Sequence, residues 1–121
     1  MKFEKLAKRE EEIMQALWTL EKAFVKEIIE ILPEPKPHYN TVSTFVRILK
    51  DKGFIGYKEF GRTHQYFPLI SKEDYQKFTV NDVVDKFFDN SPSKMVSYFA
   101  EQEKISQEEL EEILKMIKKK G

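Results

Sequence analysis

The sequence predicts a mainly α-helical protein with one small β-hairpin, and three observations support this prediction. Apolar residues repeat at helical spacing before residue 53 and again after residue 71. A stretch with three prolines separates the second helical segment from the third, and two aromatic-rich segments then flank a glycine-containing turn. Helix, helix, proline turn, helix and hairpin is the element order of a winged helix-turn-helix domain.

The first two helices are predicted to be short and amphipathic. The first covers residues 6–20, with an inner face that starts at Ile13, and its acidic run at residues 10–12 is expected on the solvated face near the helix start. The second covers residues 24–32. It ends at the prolines, because each of them lacks an N–H and restricts the residue before it.

The third helix is predicted to open at Asn40 or Thr41, which are good N-caps, and to stop at Gly53. Its buried stripe begins at Val42. The opposite face carries hydroxyl groups and cations with no acid before Asp51, whereas an ordinary solvated face mixes Glu and Lys. The face therefore suits an anion. Its residues are Thr41, Ser43, Thr44, Arg47 and Lys50.

The hairpin is predicted from two short strands, residues 54–60 and 64–69, joined by a turn at residues 61–63. Its tip carries Arg62, with Lys58 and His64 close by. The alternative for Arg62 is a residue chosen only for the turn.

The chain is predicted to divide into a winged helix-turn-helix domain, residues 1–70, and a helical dimerisation region, residues 71–121. Three short helices make a poor independent core, so we expect their apolar stripes to pair with a second copy of the chain. Packing back onto the winged domain in a monomer is the alternative. The residues expected at the dimer interface are Phe87, Phe88, Met95, Val96, Phe99, Leu110, Ile113, Leu114 and Ile117.

Composition excludes several kinds of chemistry. Cysteine is absent, which removes disulfides, thiolate metal sites and a cysteine nucleophile, and His38 and His64 are too few for a zinc site. There is no phosphate loop, nucleophile elbow or paired-carboxylate motif, so neither an enzyme nor a cofactor is expected. With no visible signal peptide and no apolar run of the ~18 residues that a membrane span needs, we expect a cytoplasmic protein without membrane insertion.

Charge is unevenly distributed although the formal net charge is zero. Residues 35–70 hold six Lys and Arg against two acids, a charge of +4, and residues 71–121 hold nine Lys against eleven acids, a charge of −2. A basic middle with an acidic tail is typical of a DNA-binding protein that has a separate element facing away from DNA.

Several segments in order resemble the penicillinase and methicillin-resistance repressors, the BlaI/MecI family. They are Glu-Glu-Ile-Met-Gln-Ala-Leu-Trp at 11–18, Asn-Thr-Val-Ser-Thr at 40–44, Leu-Lys-Asp-Lys-Gly-Phe-Ile at 49–55, residues 61–68 and the tail at 99–110. The resemblance implies a dimeric repressor on a palindromic operator, with C-terminal helices that interlock with those of the partner chain.

The resemblance also implies a route of induction. In this family, a membrane sensor-protease that detects β-lactams prompts cutting of the C-terminal region, at an Asn-Phe bond in the best-known members. The matching pair here is Tyr98 and Phe99, so the candidate cleavage site departs from the family pattern. A copper-responsive branch uses C-terminal cysteines, which this chain lacks.

A recognition helix fits the major groove and presents its N-terminal residues to base edges. Base contacts are expected from Thr41, Ser43, Thr44 and Arg47, with Asn40 at the helix start, and phosphate contacts from Lys50, Lys58, Arg62 and His64. The alternative for Ser43 and Thr44 is plain helix surface. The alternative for the whole domain is a winged-helix protein–protein interaction module without specific DNA binding.

Overall fold

The predicted mainly helical fold with one hairpin is confirmed by a computed structural model, which describes residues 4–120, with side chains described as far as Ile117. The elements in chain order are α1 (Lys8–Leu20), α2 (Val25–Ile31), α3 (Tyr39–Asp51), β1 (Ile55–Phe60), β2 (Thr63–Pro68), α4 (Lys72–Phe87), α5 (Pro92–Glu101) and α6 (Gln107–Lys120).

The chain forms two compact units, Met1–Phe78 and Thr79–Gly121, and the boundary between them falls within α4. The first unit is the winged helix-turn-helix. Its core lies where α1, α2 and α3 meet the beginning of the hairpin, and the helical stripes predicted from the sequence point into it. The largest fully buried side chains are Ile13, Met14, Leu17, Ile28, Val42, Val46, Leu49, Phe54 and Ile55.

The hairpin, here called the wing, is a two-stranded antiparallel sheet in which Ile55 lies opposite Pro68 and Phe60 opposite Thr63. The two-residue connection begins with Gly61, whose φ of 62° is a left-handed conformation that glycine adopts without strain. The second strand is tied to the segment between α1 and α2, because the backbones of Ala23 and Tyr66 exchange hydrogen bonds of 2.9 and 2.8 Å. These bonds fix the wing against the helical part of the unit.

The expectation that the acidic run of α1 is a solvated face is wrong at Glu10, which is only 4% exposed. One carboxylate oxygen of Glu10 accepts from Lys52 Nζ at 2.8 Å, and the other accepts from the Ala7 N–H at 2.8 Å. Glu11 accepts a 2.7 Å hydrogen bond from the Tyr75 hydroxyl. The two acids therefore tie α1 to the end of α3 and to α4, because α1 turns this side toward its neighbours.

The predicted start of α3 is also wrong, since the helix begins at Tyr39 with His38 as its N-cap. The His38 carbonyl accepts from the Val42 N–H at 3.1 Å, and no side chain caps this end. The backbone after Pro37 is already in the extended conformation that precedes a helix, with His38 at φ −68° and ψ 150°. Asn40 consequently lies inside the first turn, with its side chain exposed.

The second unit contains the end of α4 together with α5 and α6. Ser91 is the N-cap of α5. A capping box begins α6, because Ser106 Oγ accepts from the Glu109 N–H at 3.1 Å and the Glu109 carboxylate accepts from the Ser106 N–H at 3.0 Å. Between residues 79 and 117, Val84 is the single buried side chain.

Candidate nucleic-acid interface

The exposed face of α3 is polar and free of acids until the last residue of the helix. Asn40, Thr44 and Arg47 follow one another at i, i+4 and i+7, so they form one stripe along the helix, and all three are exposed. Thr41 is also exposed, whereas Ser43 is half-buried. The face thus offers an amide, two hydroxyls and a guanidinium on a single rigid element.

Local hydrogen bonding decides what these groups can offer a ligand. The Thr44 hydroxyl donates to the Asn40 carbonyl at 2.9 Å, so in this rotamer it can only accept from a ligand. The Asn40 side chain is not used as a helix cap, which leaves its amide able to donate and accept. Arg47 has no ion-pair partner among the described residues, and its donors are available.

The wing and α3 meet through a column of stacked groups. The Lys50 ammonium lies 5.3 Å from the centre of the Tyr57 ring, and the Tyr57 ring stacks on the His64 imidazole with 4.5 Å between centroids. His64 Nε2 also lies 3.9 Å from a Glu59 carboxylate oxygen. The structure therefore brings Lys50 and His64, both predicted site residues, onto one continuous surface.

Lys58 lies apart from that column. Residues directly opposite each other in the sheet share a face, so Tyr57 and Tyr66 lie on one face of the wing and Lys58 on the other. On that other face the Lys58 ammonium lies 5.4 Å from the centre of the Phe60 ring. The predicted site residues of the wing are thus divided between its two faces.

Arg62 at the tip of the wing borders a cleft of about 430 Å³. The cleft lies where the start of α2, the start of α3 and the wing come together. Its walls combine aromatic rings with cations and hydroxyl groups. The residues that line it include Lys26, Tyr39, Ser43, Arg62, His64 and Tyr66.

One phenol of this cleft has a shifted pKa. Burial raises the pKa of Tyr66, Tyr39 adds to the rise, and the positive charge of Arg47 opposes it. The lining of the cleft shows that the two elements share a surface, because Tyr39 and Ser43 of α3 border the same space as His64 and Tyr66 of the wing.

The structure corrects the charge count made from the sequence, because two of the six cations in residues 35–70 are used internally. Lys36 donates to the Glu30 and Leu32 carbonyls at 2.6 Å and so closes the end of α2. Lys52 pairs with Glu4 at 2.9 Å and with Glu10 at 2.8 Å. The cations of this segment that remain for an external anion are Arg47, Lys50, Lys58 and Arg62.

Sequence reasoning missed three residues on this surface: Lys26, Tyr57 and Tyr66. The two tyrosines lie beside polar residues in the predicted strands of the hairpin, a pattern that is visible in the sequence. Lys26 carries no such signal, since it is one of many exposed lysines until the fold brings α2 beside the wing.

In the second unit, most of the predicted interface residues are large apolar side chains in contact with solvent. Phe87 is 75% exposed, Ile117 61% and Leu114 54%. The remaining members are less exposed, and Phe88, Met95 and Leu110 are half-buried. The whole set also includes Val96, Phe99 and Ile113.

The candidate cleavage site, Tyr98 and Phe99, lies within α5. Its two carbonyls accept helical or helix-terminal hydrogen bonds, from Gln102 N–H at 3.1 Å and from Lys104 N–H at 3.0 Å. A protease needs an extended backbone, so this bond is not in a cleavable conformation. No residue of α5 is buried.

The residues that the structure describes contain no group of three or more His, Asp or Glu side chains arranged to hold a metal ion. None of the helices that they form is both long enough and apolar enough to cross a bilayer.

The fold and the exposed helix face define a winged helix-turn-helix protein. The family model described as penicillinase repressor matches residues 6–119, and the chain belongs to this family. The family resemblance noted in the sequence is thereby confirmed.

Individual relatives support the assignment. The methicillin resistance regulatory protein MecI of Staphylococcus aureus (strain N315) is 29% identical over 116 residues, which cover 95% of this chain and 94% of MecI. The penicillinase repressor of Bacillus licheniformis is 25% identical over 117 residues, covering 96% and 91%. The solution structure of the DNA binding domain of the repressor BlaI superimposes with a TM-score of 0.53 at 27% identity, covering 61% of this chain and 92% of that domain.

Proposed function

We propose that this protein is a transcriptional repressor that binds a palindromic operator in duplex DNA as a homodimer. The observation that supports this most is the acid-free exposed face of α3, flanked by the cations of the wing, on a unit that is similar to the DNA binding domain of BlaI. A helix of this kind fits the major groove. The site of action would be the cytoplasm, where the DNA is.

Base recognition is assigned to the stripe on α3. Arg47 has free donors in the fork geometry that matches guanine O6 and N7, and such a bidentate contact contributes about 1–3 kcal/mol of discrimination. Asn40 can donate and accept, as adenine requires. Thr44, with its own proton engaged, accepts from a base amino group, and Thr41 provides a further hydroxyl at the helix start.

Phosphate contacts are assigned to Lys50, Lys58, Arg62 and His64. Such contacts fix the position of a protein on the duplex without distinguishing sequences. Because Lys58 lies on the face of the wing opposite His64, we expect the two to contact different phosphates.

Pairing of two chains through the second unit is supported by its exposed apolar stripe. Leu110, Ile113, Leu114 and Ile117 recur at i, i+3, i+4 and i+7 along α6, and three of the four are exposed. A second copy would cover this stripe in a self-complementary, two-fold interface. The two-fold axis of this interface would also relate the two winged units, which matches the symmetry of a palindromic operator.

The charges of α6 suggest an arrangement for the pair. Its first half carries four Glu residues and its second half carries four Lys residues. The same polarity suits the dipole of a single helix. In an antiparallel pair, the acidic half of each helix would in addition face the basic half of its partner.

Proteolytic relief of repression remains part of the proposal. Since α5 buries no side chain, unwinding it around Tyr98 and Phe99 would cost little free energy. A membrane sensor-protease, or another protease, would then find an extended bond. Immunoblots of cells treated with a β-lactam test this: a fragment ending near Tyr98 is expected, and an intact chain in induced cells would contradict it.

The repressor proposal itself is tested by footprinting the DNA upstream of the chain's own gene. We expect protection of two symmetric half-sites separated by whole helical turns, about 10 base pairs or a multiple. Protection without symmetry would contradict the homodimer. Absence of any protection at concentrations where the protein is folded would favour the protein–protein interaction module instead.

A further inference from the structure

The cleft between α3 and the wing is a built site next to the base-contacting stripe of α3. We infer that it binds the sugar-phosphate backbone of one strand of the operator. This inference rests on the proposed function and adds to it the residues Lys26, Tyr39 and Tyr66, which would hold that strand. It also changes the expected role of Ser43.

The charges that line the cleft favour an anion. Lys26 and Arg62 are exposed, and neither has an ion-pair or hydrogen-bond partner among the described residues. The one acid in the lining is Glu27, and one of its carboxylate oxygens already accepts from the Phe24 N–H at 2.8 Å. Two unpartnered cations thus converge on a cleft whose single carboxylate is partly engaged.

The hydroxyl groups of the cleft are positioned but unused. Within the part of the chain that the structure describes, neither the Tyr39 nor the Tyr66 phenol makes a hydrogen bond. Tyr66 is held in place by its backbone bonds to Ala23, and Tyr39 and Ser43 lie one turn apart on α3, so both point to the same side of the helix. The donors are therefore pre-arranged on two rigid elements.

The position of the cleft identifies its occupant. A helix in the major groove is flanked by the sugar-phosphate backbones of the duplex, and the cleft runs directly beside the exposed stripe of α3 that we assign to bases. Its mixed walls also suit this ligand, since cations and hydroxyls bind phosphate oxygens while the aromatic rings of Phe24, Tyr39 and Tyr66 pack against deoxyribose.

Ser43 changes role under this inference. From the sequence it was expected to contact a base edge, but it is half-buried and lines the cleft with Tyr39. Ser43→Ala should therefore weaken binding to operator and unrelated DNA by the same factor, whereas changes at Arg47 should affect the operator more.

The test is fluorescence anisotropy of the full-length protein across a salt series. The two duplexes are the promoter upstream of its own gene and a shuffled sequence. The variants are Lys26→Gln and Tyr66→Phe, each with a matched control that makes the same chemical change away from the cleft: Lys8→Gln on exposed α1 and Tyr98→Phe on α5. Thermal unfolding of each variant verifies that it is folded.

We expect Lys26→Gln to weaken binding to both duplexes by the same factor. It should also reduce the slope of log K against log salt by about 0.9, the value for one lost phosphate contact. Tyr66→Phe should weaken binding to both duplexes by about tenfold, as for a lost hydrogen bond to a charged oxygen. The controls should match the wild type. If Tyr66→Phe lowers the unfolding temperature, the salt slope of Lys26→Gln alone decides whether the cleft binds the DNA backbone.

The outcomes separate this inference from the repressor proposal. If both cleft variants keep the wild-type affinity and salt slope and still prefer the promoter, the cleft does not bind the DNA backbone. The repressor proposal would be unaffected by that result. If the wild type binds the two duplexes equally and Lys26→Gln binds both more weakly, the cleft binds the DNA backbone but the protein is not a sequence-specific repressor. Absence of DNA binding would overturn both.

Discussion

The two units of this chain use the same kind of amphipathic helix in opposite ways. In the first unit, the apolar stripes of α1, α2 and α3 converge on one core, and side chains such as Ile13, Val42 and Phe54 have no exposed surface. In the second unit, stripes of equal regularity stay open, and Val84 is the single buried side chain between residues 79 and 117. The first unit therefore buries its apolar surface within itself, whereas the second leaves an apolar surface that we propose a second copy covers.

The charged and polar side chains also differ between the two units. The first unit buries Glu10 against Lys52 and holds Tyr75 between the Leu6 N–H and Glu11, so its charged groups stabilise the fold. In the second unit the ion pairs are on the surface, for example Lys94 with Asp89 at 2.8 Å, and exposed pairs contribute little. It follows that changes in the second unit should affect assembly, whereas changes inside the first unit should affect stability.

Disruption of the α6 stripe should abolish dimerisation. The variant Leu114→Asp with Ile117→Asp places two charges where we expect the partner chain, so sedimentation velocity should give a monomer. Operator affinity should fall by roughly 100-fold or more, because two linked half-sites bind far more tightly than one. Asn81→Asp, which adds a negative charge at an exposed position of α4 outside the predicted interface, is the control. A double variant that remains dimeric would place the interface elsewhere.

Alkaline pH should destabilise the first unit through Tyr75. Burial, together with the hydrogen bond to Glu11, raises the pKa of Tyr75 to about 12 from an ordinary value of 10. The unfolded chain therefore loses this proton before the folded protein does, and the stabilisation, about 2–3 kcal/mol, is complete below pH 10 and lost between pH 10 and 12.

Urea unfolding at several pH values measures this effect. The wild type should lose stability steeply above pH 10, and Tyr75→Phe should lose less over the same range. Part of the fall should persist in the variant, because the hydrogen bond to Glu10 raises the pKa of Lys52 and acts in the same direction. Parallel curves for the two proteins would exclude Tyr75 as the cause.

Removal of the Lys52 ammonium should destabilise the first unit at neutral pH. Lys52→Met leaves the buried Glu10 carboxylate without its partner, at a cost of about 1–3 kcal/mol, less than for a fully buried pair because the Lys52 side chain is 31% exposed. Adding Glu10→Gln should recover part of the loss. If Lys52→Met unfolds at the wild-type urea concentration, the pair is not stabilising.

The smallest expected effect concerns the polar stripe of α3. Thr44→Val removes a hydroxyl that the Asn40 carbonyl already engages, and the helix keeps its shape. The operator affinity should fall by several-fold, about the value of one neutral hydrogen bond, with no change in the urea midpoint. A loss of the same size on shuffled DNA would show that Thr44 does not contact a base.

The helical stripes, the proline turn and the hairpin could be predicted from the sequence because each depends on residues close together in the chain. The start of α3 could not, since His38 supplies only a carbonyl and leaves no side-chain signature. The burial of Glu10 could not be predicted either, because its partner Lys52 lies 42 residues away in the chain.

The candidate site, too, could be predicted only where it depends on residues close together in the chain. The polar face of α3 is a local pattern, so Arg47 and Thr44 were found from sequence, whereas the cleft arises only when α2, α3 and the wing come together. The charge count was misleading for the same reason: it included Lys36 and Lys52, which the fold uses to close α2 and to neutralise Glu10.

Since we propose that the exposed face of α3 recognises base sequence, Arg47→Ala should weaken binding to the operator more than binding to unrelated DNA. Anisotropy titrations would compare this variant with the wild type on the promoter duplex and on a shuffled duplex, with Lys8→Ala on exposed α1 as the control for loss of a positive charge. We predict a loss of about tenfold or more on the promoter and a much smaller loss on the shuffled duplex. An equal loss on both would mean that Arg47 contacts only phosphate, and would contradict the assignment of α3 as the recognition helix.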